Sequence, residues 1–396
     1  MRLLARIFVV LFLVFLAASA GAVLLFYKEW HGRGPLASDA TVVIEPGSHT
    51  TTIARQLQDA GVVEDWRLFV IGVKLFADHR PLRAGEYRFG AGMSQEQVMR
   101  MLISGATYAR RVTIPEGYTI AQVLKLVSAA EGLVGDLPPD PPAEGHVLPE
   151  TYFYTRGESR YVMVNRMAEA MQQALAKLWP ERAADLPFDT PEKALVLASL
   201  VEKETVQPME RAHVAGVFIN RLRRGMPLQS DPTVIYAVTG GQGPLGREIS
   251  AADLQIKSPY NTYLVKGLPP APICNPGLAA IQAVLHPMAT KDIYFVADGS
   301  GGHAFAQTLA EHNRNVAAYR KLLAQQAAEQ AVEAEAAAAA AATAADPTAA
   351  EAPASGQPAG GGSGESVPRA TTRASGSSPA AAESRQSASS AAGATP

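Results

Sequence analysis

An unbroken apolar run near the N-terminus limits the structures that the start of this chain can adopt. Residues 7–26 carry no charged side chain, and at about 1.5 Å per residue a helix of this length crosses the hydrocarbon core of a bilayer. Within lipid, one such segment can satisfy its own backbone groups only as a helix. Arg2 and Arg6 precede the run, and Lys28 and Glu29 follow it. This charge distribution predicts a cytoplasmic N-terminus and an exported remainder.

A cleaved signal peptide is the competing interpretation of the same run. Ala18, Ser19 and Ala20 form a small-residue sequence of the kind that signal peptidases cut. The apolar residues continue beyond it as far as Phe26, which favours an uncleaved anchor over residues 1–30. Under either interpretation the rest of the chain lies outside the cytoplasm.

Composition narrows the classes of function. The formal net charge of the 396 residues is −2, with no basic block, so we expect no nucleic-acid partner. The single cysteine, Cys274, rules out an internal disulfide and a thiolate zinc cluster. His213, His303 and His312 lack metal-ligand spacing, and the chain has neither a dinucleotide fingerprint nor a P-loop. We expect no metal and no cofactor.

The central element of the exported part is a helix predicted over residues 190–205. Thr190 is a good N-cap and Pro191 suits the first helical position. The side chains from Ala194 to Val201 are almost wholly apolar, which is typical of a buried helix.

This helix ends in ionisable residues, of which Glu204 lies on the same stripe as Leu197 and Leu200, whereas Glu202 points away. Burial at the end of an apolar stripe raises the pKa of a carboxyl and keeps it protonated near neutral pH, as a general acid requires. The alternative is a solvated charge cluster where the helix leaves the core. Glu202 is expected to be structural.

A compact module is predicted over residues 41–105, with elements in the order β-α-α-β-α. The pattern predicts strands at 41–44 and 82–89, helices at 51–60 and 65–76, and a last helix that Ser94 caps and that ends before Gly105. This order resembles a LysM-like unit, a type that binds glycans containing N-acetylglucosamine. A spacer module is the alternative interpretation.

Residues 106–189 are predicted to connect this module to a catalytic core over residues 190–323. In the connecting region Glu150 stands close to Tyr152 and Tyr154, which form either a sugar-binding wall or part of the core. In the core, Asp231 precedes Pro232 and is predicted to be an N-cap. A hairpin is predicted near 293–305, followed by a helix from Leu309.

Residues 324–396 are rich in alanine, serine, glycine and proline. The last helix is predicted to continue to about residue 345. The remainder has too few large apolar residues to bury a core and is predicted to be disordered, with no catalytic signal.

The motifs, taken in order, are similar to those of the MltG/YceG family of endolytic murein transglycosylases. The segments that carry this resemblance are 197–205, 218–222, 228–236, 260–263, 267–270 and 294–299. In that family the second glutamate of Glu-Lys-Glu-Thr is the catalytic acid, and this residue is Glu204 here. The resemblance also implies a glycan groove lined by polar residues from the matching segments. We expect these residues to include Glu150, Asn220, Gln229, Asp231, Asn261 and Tyr263.

The resemblance implies an α+β fold and a single-pass protein of the bacterial inner membrane with a periplasmic catalytic domain. The implied reaction cleaves the bond between N-acetylmuramic acid and N-acetylglucosamine inside nascent peptidoglycan strands, leaves 1,6-anhydro ends and thereby terminates glycan chains. It also implies association with peptidoglycan synthases. Two alternatives stay open: a hydrolase in which a carboxylate such as Asp231 activates water, and a non-catalytic glycan-binding scaffold.

Overall fold

The computed structural model describes residues 2–344, which form two compact units. The first unit comprises the chain up to Ile114 together with 124–141 and 150–166, and the second comprises 115–123, 142–149 and the chain from Met167 onward. The tail predicted to be disordered, from residue 346 to 396, lies outside the described residues.

The first helix, α1, runs from Arg2 to His31. By length and composition it is the one helix among residues 2–344 that could cross a membrane, in agreement with the predicted anchor. Its last turn differs from the rest, because Trp30 is only 2% exposed and belongs to the core of the first unit.

The module that follows has the predicted order of elements. Its elements are β1 (Ala40–Ile44), α2 (Thr50–Asp59), α3 (Trp66–Phe76), β2 (Gly85–Phe89) and α4 (Gln95–Ser104). The strands β1 and β2 pair antiparallel, with Val42 opposite Tyr87. Ser94 caps α4 through a reciprocal capping box with Gln97, as the sequence predicts. The second strand begins three residues later than predicted, at Gly85.

A second antiparallel pair, β3 (Arg110–Thr113) with β4 (Thr151–Tyr154), completes the strands of the first unit. The helix α5 (Ile120–Ala129) follows β3, and the helix α6 (Arg160–Leu178) follows β4. Tyr152 and Tyr154 are buried, and the Tyr154 hydroxyl donates to the carbonyl of Glu131 at 2.8 Å. The core interpretation of these two tyrosines is therefore correct, and the sugar-wall interpretation is wrong.

The second unit is mainly helical. Its elements are α7 (Pro191–Glu204), α8 (Arg211–Arg223), α9 (Asp231–Thr239), α10 (Leu278–Leu285), the hairpin β5 (Tyr294–Ala297) with β6 (His303–Ala306), and α11 (Leu309–Ala344). The predicted hairpin and the extension of the last helix through the alanine-rich stretch are both present. The sequence analysis did not identify α10.

The core of the second unit is built around α7. Every residue from Ala194 to Val201 is buried, and α7 contacts α8, α9 and α10. Ser199 is the one polar residue in this stretch; its Oγ donates to the carbonyl of Val196 at 2.7 Å and accepts from the Ile273 amide at 3.0 Å. Because the stretch from Ala194 to Val201 is buried on all sides, the residue of the next turn that lies on its inner stripe, Glu204, is buried as well.

Candidate active site

The local sequence of α7 determines where Glu204 lies. Thr190 caps the helix by accepting from the Lys193 amide at 3.3 Å, and Pro191 occupies the first helical position. The helix ends at Glu204, because Thr205 is already extended. Glu204 is consequently the last residue of a buried helix rather than part of an exposed loop.

Glu204 is 9% exposed and makes one short hydrogen bond. The Ser230 Oγ donates to its Oε1 at 2.5 Å. Burial raises the pKa of Glu204 to about 7, the Ser230 bond and the charge of Arg221 oppose this rise, and the charge of Asp231 adds to it. A carboxyl with this pKa can both give and take a proton near neutral pH.

Glu202 has a different role, as the helix periodicity predicts. Its Oε2 accepts from the Gly277 amide at 2.9 Å, at the start of α10. Glu116 crowds the same point so closely that a Cβ on Gly277 would lie 1.8 Å from the Glu116 Oε1. Glu202 therefore supports a helix N-terminus, where a negative charge is favourable.

The sequence analysis was wrong about the cap of α9. Ser230 occupies the N-cap position, and Asp231 is the first residue of the helix. The Ser230 hydroxyl does not cap the helix, because it donates to Glu204. Both residues are thus turned toward the end of α7 instead of serving the backbone of α9.

Asp231 is a second buried carboxyl beside Glu204. It is 5% exposed, and its Oδ1 accepts from the Tyr263 hydroxyl at 2.6 Å. Its Oδ2 is buried and has no hydrogen-bond partner among the described residues. Burial raises the pKa of Asp231, and the Tyr263 bond opposes this. An unsatisfied buried carboxylate oxygen is costly, and a donor brought by a ligand would satisfy it.

Hydrogen bonds join the loop that contains Gln229 and Ser230 to the loop that contains Thr262 and Tyr263. The Gln229 amide donates to the Thr262 carbonyl at 3.1 Å, and the Ser230 amide donates to the Thr262 Oγ1 at 3.0 Å. The hydroxyls of Thr233 and Thr262 are 2.9 Å apart. Ser230 and Tyr263, which contact the two carboxyls, are therefore held by one connected network.

Arg221 of α8 organises the loop before Ser230. Its guanidinium donates to the carbonyls of Ile293 at 2.6 Å and Leu228 at 2.9 Å, and to the Gln229 Oε1 at 3.3 Å. Gln229 has a φ of +51°, a left-handed conformation that is strained for this residue. Arg221 holds this strained turn in place, and the sequence analysis missed it.

The remaining predicted groove residues have other surroundings. Asn220 donates to the carbonyls of Thr290 and Asp292, at 2.9 and 3.0 Å. Asn261 is fully buried and donates to the carbonyls of Leu254 and Ile256. Both amide groups support loops in the second unit, and the Asn261 Oδ1 also accepts from the Tyr263 amide at 3.0 Å.

Glu150 belongs to the first unit. It is exposed, and its Oε1 accepts from the Thr151 amide at 3.2 Å. Of the seven predicted site residues, the structure therefore brings Glu204, Gln229, Asp231, Asn261 and Tyr263 into one network, which Ser230, Arg221 and Thr262 complete.

A further, partly buried carboxyl, Glu144, lies in a segment whose prolines and acidic residues are typical of an exposed connection. Its Oε1 accepts from the Ile120 amide at 2.9 Å, and its Oε2 accepts from the Tyr236 hydroxyl at 3.4 Å. Burial raises its pKa to about 7. Its contacts are those of a cap on the N-terminus of α5.

Two histidines of the second unit each pair with a single carboxylate. His213 lies 2.7 Å from Asp292, and His303 lies 2.7 Å from Glu210. Across residues 2–344, no group of three or more histidine, cysteine, aspartate or glutamate side chains is arranged to hold a metal ion. The buried carboxyl groups of the network around Glu204 can transfer protons.

Comparison with known proteins places these features in a wider context. A model of the YceG-like family matches residues 42–318. The endolytic murein transglycosylase of Streptococcus pneumoniae serotype 2 (strain D39) is 32% identical over 365 residues, which cover 79% of this chain and 65% of that protein. The chain thus spans just under two-thirds of the length of that relative.

Two further proteins are similar to this chain. The endolytic murein transglycosylase of Bacillus subtilis (strain 168) is 31% identical over 301 residues, which cover 68% of this chain and 82% of that protein. A crystal structure of a yceG-like protein from Listeria monocytogenes is 30% identical, covers 70% of this chain and 98% of that one, and superposes with a TM-score of 0.45.

Proposed function

This chain belongs to the YceG-like family, and we propose that it is an endolytic murein transglycosylase that cuts inside peptidoglycan strands. Relatives at 31–32% identity carry that name. The observation that carries the proposal is Glu204, a buried carboxyl with a pKa raised to about 7 at the end of α7. One such group can serve as acid and then as base in the same reaction.

In the proposed reaction, protonated Glu204 donates its proton to the glycosidic oxygen as the bond to C1 of N-acetylmuramic acid breaks. The electron deficiency at C1 is stabilised by the carbonyl of the neighbouring acetamido group. Glu204, now a carboxylate, takes the proton of the 6-hydroxyl of the same sugar, and O6 bonds to C1. The products are a free hydroxyl on N-acetylglucosamine and a 1,6-anhydro end, and no water is consumed.

Attack by the 6-hydroxyl is faster than attack by water, because this hydroxyl is tethered and oriented and so has a very high effective concentration. Ser230 is assigned the role of holding the Glu204 carboxyl in one orientation through its 2.5 Å bond. Asp231, with its unpartnered buried oxygen, is assigned to accept a hydrogen bond from the sugar. Tyr263 and Gln229 would complete the binding of the muramic acid residue.

A hydrolase is the second candidate, and one observation favours it. Asp231 has a raised pKa and a free oxygen next to Glu204, which are properties of a general base that could activate water. The two candidates differ in their products, because hydrolysis leaves a reducing end. The absence of cleavage would instead indicate a glycan-binding scaffold.

The organisation of the chain is part of the proposal. Residues 1–30 would anchor the protein in the inner membrane with the N-terminus in the cytoplasm, and 41–105 would be a LysM-like glycan-binding module. Residues 106–189 would connect it to a periplasmic catalytic core at 190–323. A position beside peptidoglycan synthases would let the enzyme terminate strands as they emerge, and the tail at 324–396 has no assigned role.

The test uses the full chain in detergent with uncrosslinked glycan strands as substrate. Glu204→Gln should abolish the internal fragments that the unaltered chain produces. Glu192→Gln is the matched control, because Glu192 is an exposed glutamate in the first turn of the same helix and its loss should leave the rate unchanged. Unimpaired cleavage by Glu204→Gln would overturn the assignment.

A further inference from the structure

The end of α1 is built into the folded part of the first unit. The ring of Trp30 lies 6.1 Å from that of Phe69 and 5.5 Å from that of Phe76, both in α3. Gly72 makes room for it, because a Cβ at that position would lie 2.0 Å from the Trp30 Cζ3. The helix and α3 are therefore joined by core packing and not by a flexible linker.

Two polar contacts strengthen this junction. The His31 Nδ1 lies 2.8 Å from the Glu96 Oε2 in α4, and the Gly34 amide donates to the Gly92 carbonyl at 3.3 Å. Together with Trp30, they hold the end of α1 against both α3 and the turn before α4. The orientation of the first unit on its own N-terminal helix is consequently set by the fold.

The side of α3 that faces away from the core carries three exposed apolar residues beside Arg67 and Lys74. Ile71 is 46% exposed, Leu75 64% and Phe76 47%, and these three residues define the α3 outer face. A single exposed leucine is ordinary, but a patch of this kind on one helix marks an interaction surface. Lys74 lies among them and is also exposed; its long stem can run along apolar surface while its amine reaches polar groups.

The α3 outer face lies at the level where the apolar run of α1 ends. Phe26, the last residue of that run, has its ring 6.3 Å from the ring of Phe76. An apolar hollow of about 390 Å³ separates the two helices and is lined by Val23, Phe26 and Tyr27 of α1 and by Leu75 and Phe76 of α3. The exposed surface of α3 is therefore continuous with the surface of α1 that lipid would cover.

We propose that the α3 outer face rests in the outer surface of the membrane and holds the first unit against the bilayer. This inference depends on the proposed anchor, since lipid reaches α3 only if α1 spans the membrane. Burial of the three side chains in the interface would add to the binding energy in proportion to the apolar area removed from water. The Lys74 amine would lie among the lipid headgroups. The first unit would then meet glycan only close to the membrane.

The test measures depth in lipid with a fluorescent label on single introduced cysteines. The native Cys274 is fully buried and should not react. Leu75→Cys reports on the α3 outer face, Leu16→Cys on the middle of the apolar run, and Thr41→Cys, at an exposed position of β1, is the matched control in the same unit. The full chain is placed in lipid nanodiscs, one copy per disc, with and without brominated acyl chains.

We expect strong quenching at Leu16, at least twofold more quenching at Leu75 than at Thr41, and little quenching at Thr41. Quenching at Leu16 together with equal, low quenching at Leu75 and Thr41 would overturn the proposal. The absence of quenching at Leu16 would refute the anchor itself and so separate the two failures. A second sample contains two copies per disc. If the label at Leu75 is shielded from solvent only in this sample, a second chain covers the face, which also overturns the proposal. Ile71→Cys repeats the measurement at a second position.

Discussion

The hydrogen bond from Ser230 to Glu204 yields the sharpest prediction. The bond is 2.5 Å long, lies in a buried site and opposes the rise in the Glu204 pKa. A hydrogen bond to a charged group contributes about 1.5–3 kcal/mol, and each pKa unit corresponds to about 1.4 kcal/mol. Ser230→Ala should therefore raise the Glu204 pKa enough to move any limb of the rate profile that reports it by about one pH unit or more.

The proposed mechanism determines the direction in which the pH dependence of the rate should move. Glu204 must be protonated to begin the reaction, so the rate of the unaltered chain should fall as pH rises through about 7. In Ser230→Ala the carboxylate is less stable, so this alkaline limb should move to higher pH. The maximal rate should fall as well, because the carboxyl is no longer held in one orientation.

The assay is the initial rate of strand cleavage between pH 5 and 9. Ser300→Ala is the matched control, because Ser300 also donates to a carboxylate, Asp298 at 2.8 Å, but in the exposed turn between β5 and β6. Its profile should coincide with that of the unaltered chain. An unmoved alkaline limb in Ser230→Ala would refute the claim that this bond tunes the catalytic carboxyl.

Three further predictions concern the same network. Asp231→Asn removes a charge that raises the Glu204 pKa, so the alkaline limb should move to lower pH, opposite to Ser230→Ala; an unmoved limb would mean that Asp231 is neutral in the working range. Arg221→Lys keeps the charge but loses the guanidinium geometry that holds the strained turn at Gln229. We expect kcat to fall at least tenfold while the alkaline limb moves by less than half a pH unit. An unchanged kcat would contradict this role. Burial raises the pKa of Glu204 to about 7 in the folded protein, so folding favours the protonated carboxyl. The resulting contribution to the free energy of unfolding is fully present below the ordinary carboxyl pKa and is lost as pH rises through 7. Glu204→Gln should therefore stabilise the protein by up to about 3 kcal/mol at pH 8 and by little at pH 4, which thermal unfolding at the two pH values measures; equal stabilisation at both would refute it.

The parts of the fold that follow local rules were predictable. Thr190 and Pro191 predict the start of α7, and the apolar stretch from Ala194 to Val201 predicts that the helix is buried. Helical periodicity alone distinguishes the inward Glu204 from Glu202. The order of elements in residues 41–105 follows from strand and turn signals in the same way.

Contacts between distant segments could not be predicted. The sequence signals an N-cap at Asp231, but the partner of Ser230 is 26 positions away in the chain, and only the folded structure shows that Ser230 turns to Glu204. Asn220 and Arg221 are neighbours in α8, and only the folded structure shows that Arg221 reaches Gln229 while Asn220 bonds to the carbonyls of Thr290 and Asp292. Glu144 was overlooked because prolines around it suggest exposure, whereas its carboxyl caps a helix.

The packing between the end of α1 and the first unit could not be predicted either. Trp30 lies at the end of the predicted anchor, four residues after the apolar run, where an aromatic residue usually marks the membrane interface. In the structure its side chain fills the core between α1 and α3. Removal of residues 1–30 would therefore also remove a core residue, and soluble versions of the chain should retain Trp30.

The origin of the new chain end tests the central claim most directly. Glycan strands are digested by the full chain in water enriched in oxygen-18, and the fragment ends are weighed by mass spectrometry. The account predicts ends that lack one water relative to reducing ends and carry no oxygen-18, because O6 of the muramic acid attacks its own C1. Reducing ends that contain oxygen-18 would contradict it and would identify a hydrolase.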